Sequence, residues 1–212
     1  MADAPSGAPT ALVLLPTYNE RENLPEIAAL LLAQPNVRVL VIDDGSPDGT
    51  GQVADDLAAA SSGRLTVMHR TGKRGLGRSY LDGMKAALKT DAEVVFQMDA
   101  DLSHDPKYVP ALVAASRHAD IVIGSRYLQG VSVVNWPLRR LMLSTFANWY
   151  VRTVTGMRVR DCTAGFRCWR REAIARMPLD RITSDGYSFQ VETLYLALGA
   201  GCSVSEVPIV FV

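Results

Sequence analysis

The chain has 212 residues, 48% of them hydrophobic, with 22 basic and 22 acidic side chains. That is enough for a full apolar core and too evenly charged for a general nucleic-acid or acidic-membrane surface, so no nucleic-acid partner is expected and any phosphate must be met by local arginines and lysines. Three cysteines (Cys162, Cys168, Cys202) without a CxxC pair point to a reducing cytosol, the three histidines lack zinc-ligand spacing, and no run reaches the ~18 apolar residues of a membrane span.

Residues 1–9 carry neither the basic nor the apolar region of a signal peptide and read as a flexible leader to one domain over 10–212. "ALVLL" (11–15) predicts a buried strand, and Leu24, Ile27 and Leu31 predict a helix that stops before Pro35. "VRVLVI" (37–42) follows as a strand, Val53 and Leu57 mark a helix, "LTVM" (65–68) is a third strand, and Leu76, Tyr80, Met84 and Leu88 give a third apolar stripe. "EVVFQM" (93–98) and "DIVIG" (120–124) complete a set of strands rich in branched residues on both faces. Alternating strand and helix predict an α/β fold with a mostly parallel central sheet flanked by helices. Beyond residue 130 the pattern is less regular. A long helix near 138–154, within "WPLRRLMLSTFANWYVR", is apolar nearly all round, which favours a core helix over one lying in a membrane interface.

In open sheets of this kind ligands bind at the carboxyl ends of the strands. Here those ends are "PTYNE", "DDGSPDG", "DAD" and "SRY", which bring Glu20, Asp43, Asp44, Asp99, Asp101 and Arg126 toward one rim. "DDGSPDG" alone reads first as turn chemistry. Asp99 and Asp101 are different: two residues apart at the end of an extended segment, they point to the same side and can face one hard divalent cation, Mg²⁺ or Mn²⁺, whose shell is completed by water and substrate phosphates. Asp105, followed by Pro106, reads as a helix cap, and His104 as a ligand, a phosphate contact or an ordinary loop histidine. There is no GxxxxGK[ST], and "GLGRSY" has Tyr80 where a dinucleotide fingerprint needs its third glycine.

In order along the chain, "LLPTYNERENLP", "VIDDGSPDGT", "GLGRSY", "MDADLSHDP", "IGSRY", "TAGFRCWRRE" and "GYSFQVE" resemble the inverting GT-A glycosyltransferases of family 2, and among them the polyprenyl (dolichyl) phosphate mannose synthases. The resemblance implies a GT-A fold with a nucleotide-binding half over about 10–125 and an acceptor half over about 126–212. It implies transfer of mannose from GDP-mannose to a polyprenyl phosphate at the cytoplasmic face of a membrane, and leaves open a membrane-protein partner. Carried over by position, Pro16, Tyr18, Glu20, Ile42 and Asp44 would contact the nucleoside, and Asp99, Ala100 and Asp101 the metal and diphosphate. Arg126 and Arg140 would meet phosphate. Where some relatives have a glutamine as a further metal ligand this chain has Ser103, and Glu192 stands either near the acceptor or on a helix surface. In the family the strand at "VPIVFV" leads into a loop with an arginine and a lysine, so the 212 residues are expected to bind nucleotide but transfer sugar slowly unless an extension or partner supplies those charges. A glucosyltransferase of the same fold and a catalytically incomplete nucleotide-sugar-binding module are the alternatives.

Overall fold

Two strands with every residue buried, β1 (Ala11–Thr17) and β4 (Val94–Gln97), lie side by side and parallel at the middle of the sheet, Val13 opposite Phe96. The computed structural model describes residues 9–71, 75–134 and 136–211. The reading of residues 1–9 as a leader therefore falls outside it, Pro9 apart. On one side β1 is followed by β2 (Val37–Asp43) and β3 (Leu65–His69), both parallel to it. On the other, β6 (Arg167–Arg170) runs antiparallel between β4 and β5 (Ile121–Ser125), and β7 (Val204–Pro208) closes the edge parallel to β5, giving the order β3-β2-β1-β4-β6-β5-β7.

The strands alternate side chains between two cores, as a pleat with period two requires. Leu12, Leu14, Leu40 and Ile42 face Tyr80, Met84, Phe189 and Leu194, whereas Val13, Leu15, Val39 and Val41 face Ile27, Leu31 and Leu112. The expected helices form: α1 (Leu24–Leu32) buries Leu24, Ile27, Ala28 and Leu31, and α2 (Thr50–Ala60) follows β2. In α3 (Leu76–Ala87) Gly83 lets the helix lie against the sheet, because a Cβ there would come within 2.6 Å of Ile42 Cδ1. Then come α4 (Val109–Ala115), α5 (Leu138–Thr155), α6 (Arg171–Arg176) and α7 (Gly186–Gly199).

Three features of the fold depart from the sequence reading. The first is β6, a four-residue strand with an arginine at each end and no apolar run to announce it. The second is α5, which is not a core helix. Of its residues only Asn148 is buried, while Leu138, Met142, Leu143, Phe146, Trp149, Tyr150 and Val154 are exposed. Its inward contact is polar: Asn148 accepts from the Cys162 N–H at 2.7 Å and donates to the Thr163 hydroxyl at 3.3 Å. The final strand also lies earlier than "VPIVFV" implied, at Val204–Pro208, and Phe211 makes an isolated bridge with Val133.

Candidate active site

The turn after β2 divides two adjacent aspartates by role. Asp43 accepts from the Thr17 and Ser46 hydroxyls and the Ser46 N–H, so it serves the turn as its composition implied. Asp44 instead faces inward to Arg70 at the end of β3, 2.5 Å from its guanidinium, and accepts from the Ser79 hydroxyl of α3 at 3.1 Å. Both partners are buried, so neither charge stands alone. Glu20 is fixed by its backbone N–H, which donates to the Thr50 hydroxyl at 3.0 Å, and by its carboxylate, which accepts from Asn23 at 2.8 Å.

After β4 the chain turns sharply, with Leu102 at φ 64°, and both carboxylates of the DAD segment are held on one oxygen. Asp99 Oδ1 accepts from the Tyr80 hydroxyl at 2.7 Å, and Asp101 Oδ1 from the N–H and hydroxyl of Ser103 at 3.1 and 2.6 Å. Burial, then the adjacent Asp99, pushes the Tyr80 pKa well above 10, so the phenol remains a donor. Ser103 is therefore occupied in orienting Asp101. His104 is on the loop but buried: it is 2% exposed, stacks on Phe166, and its Nδ1 accepts from the Asp99 N–H at 3.0 Å. Burial lowers its pKa against the pull of Asp99 and Asp101, keeping the imidazole neutral at pH 7. Asp105 caps the turn at Pro106, as expected, by accepting from Lys107 N–H.

These elements enclose a cleft of about 280 Å³ lined by Pro16, Tyr18, Glu20, Asp44, Asp99, Ala100 and Asp101, together with Gly75 and Ser79. Seven of the residues assigned to the nucleotide thus share one wall. Ile42 does not join them: its side chain is wholly in the core, leaving only its main chain near the site. The cleft is closed below where Asp185, at the start of α7, accepts from the Gly77 N–H at 2.6 Å. Gly75, at φ 93°, is required there, since a Cβ would overlap the Asp185 carboxylate.

Asp99 and Asp101 also line a second cavity, about 320 Å³, with His104, Arg126, Arg140, Gln190 and Tyr187. The two arginines differ. Arg126 is buried and donates twice to Asp161, at 2.8 and 2.6 Å, and to Thr163 at 2.9 Å; burial lowers its pKa, but Asp161 more than restores it. Arg140 is exposed, its guanidinium 4.0 Å from the centre of the Trp136 ring. Beyond Arg140 an apolar cleft of about 240 Å³ runs past Trp136, Leu143 and Ala147, and Ala147, Thr163 and Tyr187 also border a groove of about 620 Å³ between α5 and α7. Glu192 lies in that groove, where its carboxylate accepts from the N–H groups of Thr183 and Ser184. It holds a loop and does not reach the two aspartates' cavities.

Arg70, Ser79, Tyr80, Asp161, Thr163 and Gln190 were not singled out by sequence. Arg70 had a signal, since it follows a predicted strand end. Asp161 had none, because its role depends on packing against a residue distant in sequence. No group of three or more His, Cys, Asp or Glu able to hold a metal exists among the described residues. Two carboxylates, each with one oxygen hydrogen-bonded and the other uncommitted to those partners, suit Mg²⁺ or Mn²⁺, which take most of their shell from water and phosphate.

A central sheet that gathers a nucleotide-sized cleft and paired carboxylates at its strand ends defines a glycosyltransferase with a GT-A-like α/β fold. Residues 12–183 match the model for glycosyl transferase family 2, and the chain belongs to that family. It is 50% identical over 202 residues to a polyprenol monophosphomannose synthase of Mycolicibacterium smegmatis, covering 94% of this chain and 76% of that protein. It is 45% identical over 202 residues to an undecaprenyl-phosphate mannosyltransferase of Micrococcus luteus, covering 95% and 83%. Among solved structures, glucosyl-3-phosphoglycerate synthase from Mycobacterium tuberculosis, in complex with Mn²⁺, UDP-glucose and phosphoglyceric acid, superposes with a TM-score of 0.66 at 20% identity, covering 94% of this chain and 70% of that one.

Proposed function

We propose that this enzyme transfers mannose from GDP-mannose to a polyprenyl phosphate with inversion at the anomeric carbon, working at the cytoplasmic surface of a membrane. The observation that carries this reading is that Asp99 and Asp101 form the shared wall between the nucleotide-sized cleft and a cavity that leads past Arg140 to an apolar groove. The names of the mycolicibacterial and micrococcal relatives support a polyprenyl-type acceptor and mannose. No described helix is long and apolar enough to cross a membrane, and the exposed apolar side of α5 suits the lipid tail.

In this reading Pro16, Tyr18, Glu20 and Asp44 receive the nucleoside. A divalent Mg²⁺ or Mn²⁺ on Asp99 and Asp101 would neutralise the donor diphosphate and stabilise its departure. The acceptor phosphate, with a second pKa near ~6, is mostly dianionic at pH 7 and needs no strong general base. The protein's task is to bring two anions together, which falls to Arg140, held over Trp136, and to the polar wall organised by the Arg126–Asp161 pair.

The test is product analysis by mass spectrometry after incubation with Mn²⁺, a short polyprenyl phosphate and either GDP-mannose or UDP-glucose. We expect mannolipid from GDP-mannose and little product from UDP-glucose. Asp99→Asn and Asp101→Asn should each abolish the metal-dependent part of GDP affinity in calorimetry without lowering the melting temperature. Tight GDP binding with no glycolipid, or equal product from both donors, would overturn the proposal.

A further inference from the structure

The second cavity contains one side chain that the proposed chemistry leaves unused. Gln190 is 3% exposed, and its Oε1 is buried without a hydrogen-bond partner among the described residues. Its neighbours are satisfied: Arg126 is paired with Asp161, Thr163 accepts from Arg126, and His104 accepts from Asp99 N–H. The position is also rigid, because the Gln190 carbonyl accepts from buried Arg167 at 2.8 Å. Arg167 binds the Ala164 and Cys162 carbonyls as well, which fixes α7 to the loop before β6. A buried acceptor left without a partner is unfavourable, so such a group calls for a ligand-side explanation.

We propose that Gln190 is the residue that recognises the hexose of the sugar nucleotide, hydrogen-bonding a sugar hydroxyl between the metal-bound diphosphate and the acceptor phosphate. The inference rests on the function proposed above. Its chemical ground is that a carboxamide both donates and accepts, as an alcohol does, whereas a phosphate at neutral pH mainly accepts and a divalent cation only needs acceptors. Asp99, Asp101 and Arg140 supply the charged contacts, and Gln190 is a buried neutral group in the same cavity that both donates and accepts. Gly165 leaves the space open. A Cβ there would stand 3.4 Å from Asp99 Oδ2 and from His104 Cε1 and 3.8 Å from Gln190 Nε2, and so would fill the place the sugar needs.

The experiment compares GDP with GDP-mannose, each with Mn²⁺, by calorimetry on wild type, Gln190→Met and Gly165→Ala. Methionine keeps the length and removes both hydrogen-bonding atoms; alanine leaves the carboxamide and narrows the cavity. GDP lacks the hexose and reports an intact donor site. We expect GDP affinity within about twofold of wild type in Gln190→Met, and GDP-mannose affinity reduced about tenfold in both variants, the size of one buried hydrogen bond. If GDP-mannose binding is unchanged in both variants, or falls only in step with GDP, the assignment is wrong. Should wild type bind neither GDP nor GDP-mannose in preference to UDP-glucose, the function proposed above fails and takes this inference with it.

Discussion

Arg126 and Arg140 line the same cavity with the same charge, yet the residues around them assign different work. Arg126 is locked against fully buried Asp161. Replacing Arg126 with alanine strands an unpaired buried carboxylate, and we expect a loss of about 3–5 kcal/mol in stability, seen as a lower denaturation midpoint. Arg140 is exposed and rests on Trp136, so Arg140→Ala should change stability by less than about 0.5 kcal/mol while lowering transfer about 100-fold or more at unchanged GDP affinity. A normal melting temperature for Arg126→Ala would show that the ion pair does not support the loop, and full turnover by Arg140→Ala would remove it from the acceptor site. Sequence placed both arginines near phosphate. It could not separate them, because the difference lies in Asp161, whose pairing is made only by the fold.

Among the elements, the strands and helices up to β5 were legible because their apolar residues recur at periods of 2 or 3.6 with buried partners on both sides. β6 was not, since Arg167 occupies a buried strand position and is satisfied by the carbonyls of Cys162, Ala164 and Gln190, which no local pattern records. Burial lowers the Arg167 pKa to about 10, still high enough to keep it charged at pH 7. The helix α5 misled in another way: apolar residues all round a helix normally mean a core, but here none of the described residues covers its outward side. The contrast is testable. If Phe146 and Trp149, both 58% exposed, meet a lipid surface, the double change to serine should leave the melting temperature nearly intact, reduce binding to polyprenyl-phosphate vesicles and raise the KM for a long-chain acceptor but not for a short soluble one. Were α5 a core helix, the same pair would cost several kcal/mol, about 3–5 for each aromatic removed, and the protein would unfold early.

At the scale of the whole molecule, the two edges of the sheet do opposite things. The carboxyl-end edge gathers Asp44, paired with Arg70, and the Asp99–Asp101 pair around clefts, where polar groups face ligands. At the other end of β5 the chain is clasped: Asp120 accepts from the Ser203 N–H and hydroxyl, both at 2.8 Å, and from Arg176 at 2.5 Å, tying β5 to the start of β7 and to α6. Because β6, from the C-terminal part of the chain, is inserted between β4 and β5, we expect the two halves of the chain to unfold in one transition that this clasp helps to set. Burial raises the Asp120 pKa, but the Ser203 and Arg176 hydrogen bonds outweigh it and hold the carboxyl below its ordinary 3.8. A folded-state pKa below the unfolded one means that the unfolded chain takes up the proton more readily, so the stabilisation is complete above about pH 4 and disappears as pH falls through the folded value. Asp120→Asn should therefore lower stability at pH 7 by about 2 kcal/mol, a drop of roughly 4–8 °C for a chain of this size. The gap from wild type should narrow as pH falls through the lowered folded-state value and close once both side chains are neutral. Calorimetric melts at pH 7 and pH 3 decide it: a gap that stays constant with pH would mean that Asp120 acts through its shape and not its charge, and two separate melting transitions would show that the halves fold as independent units.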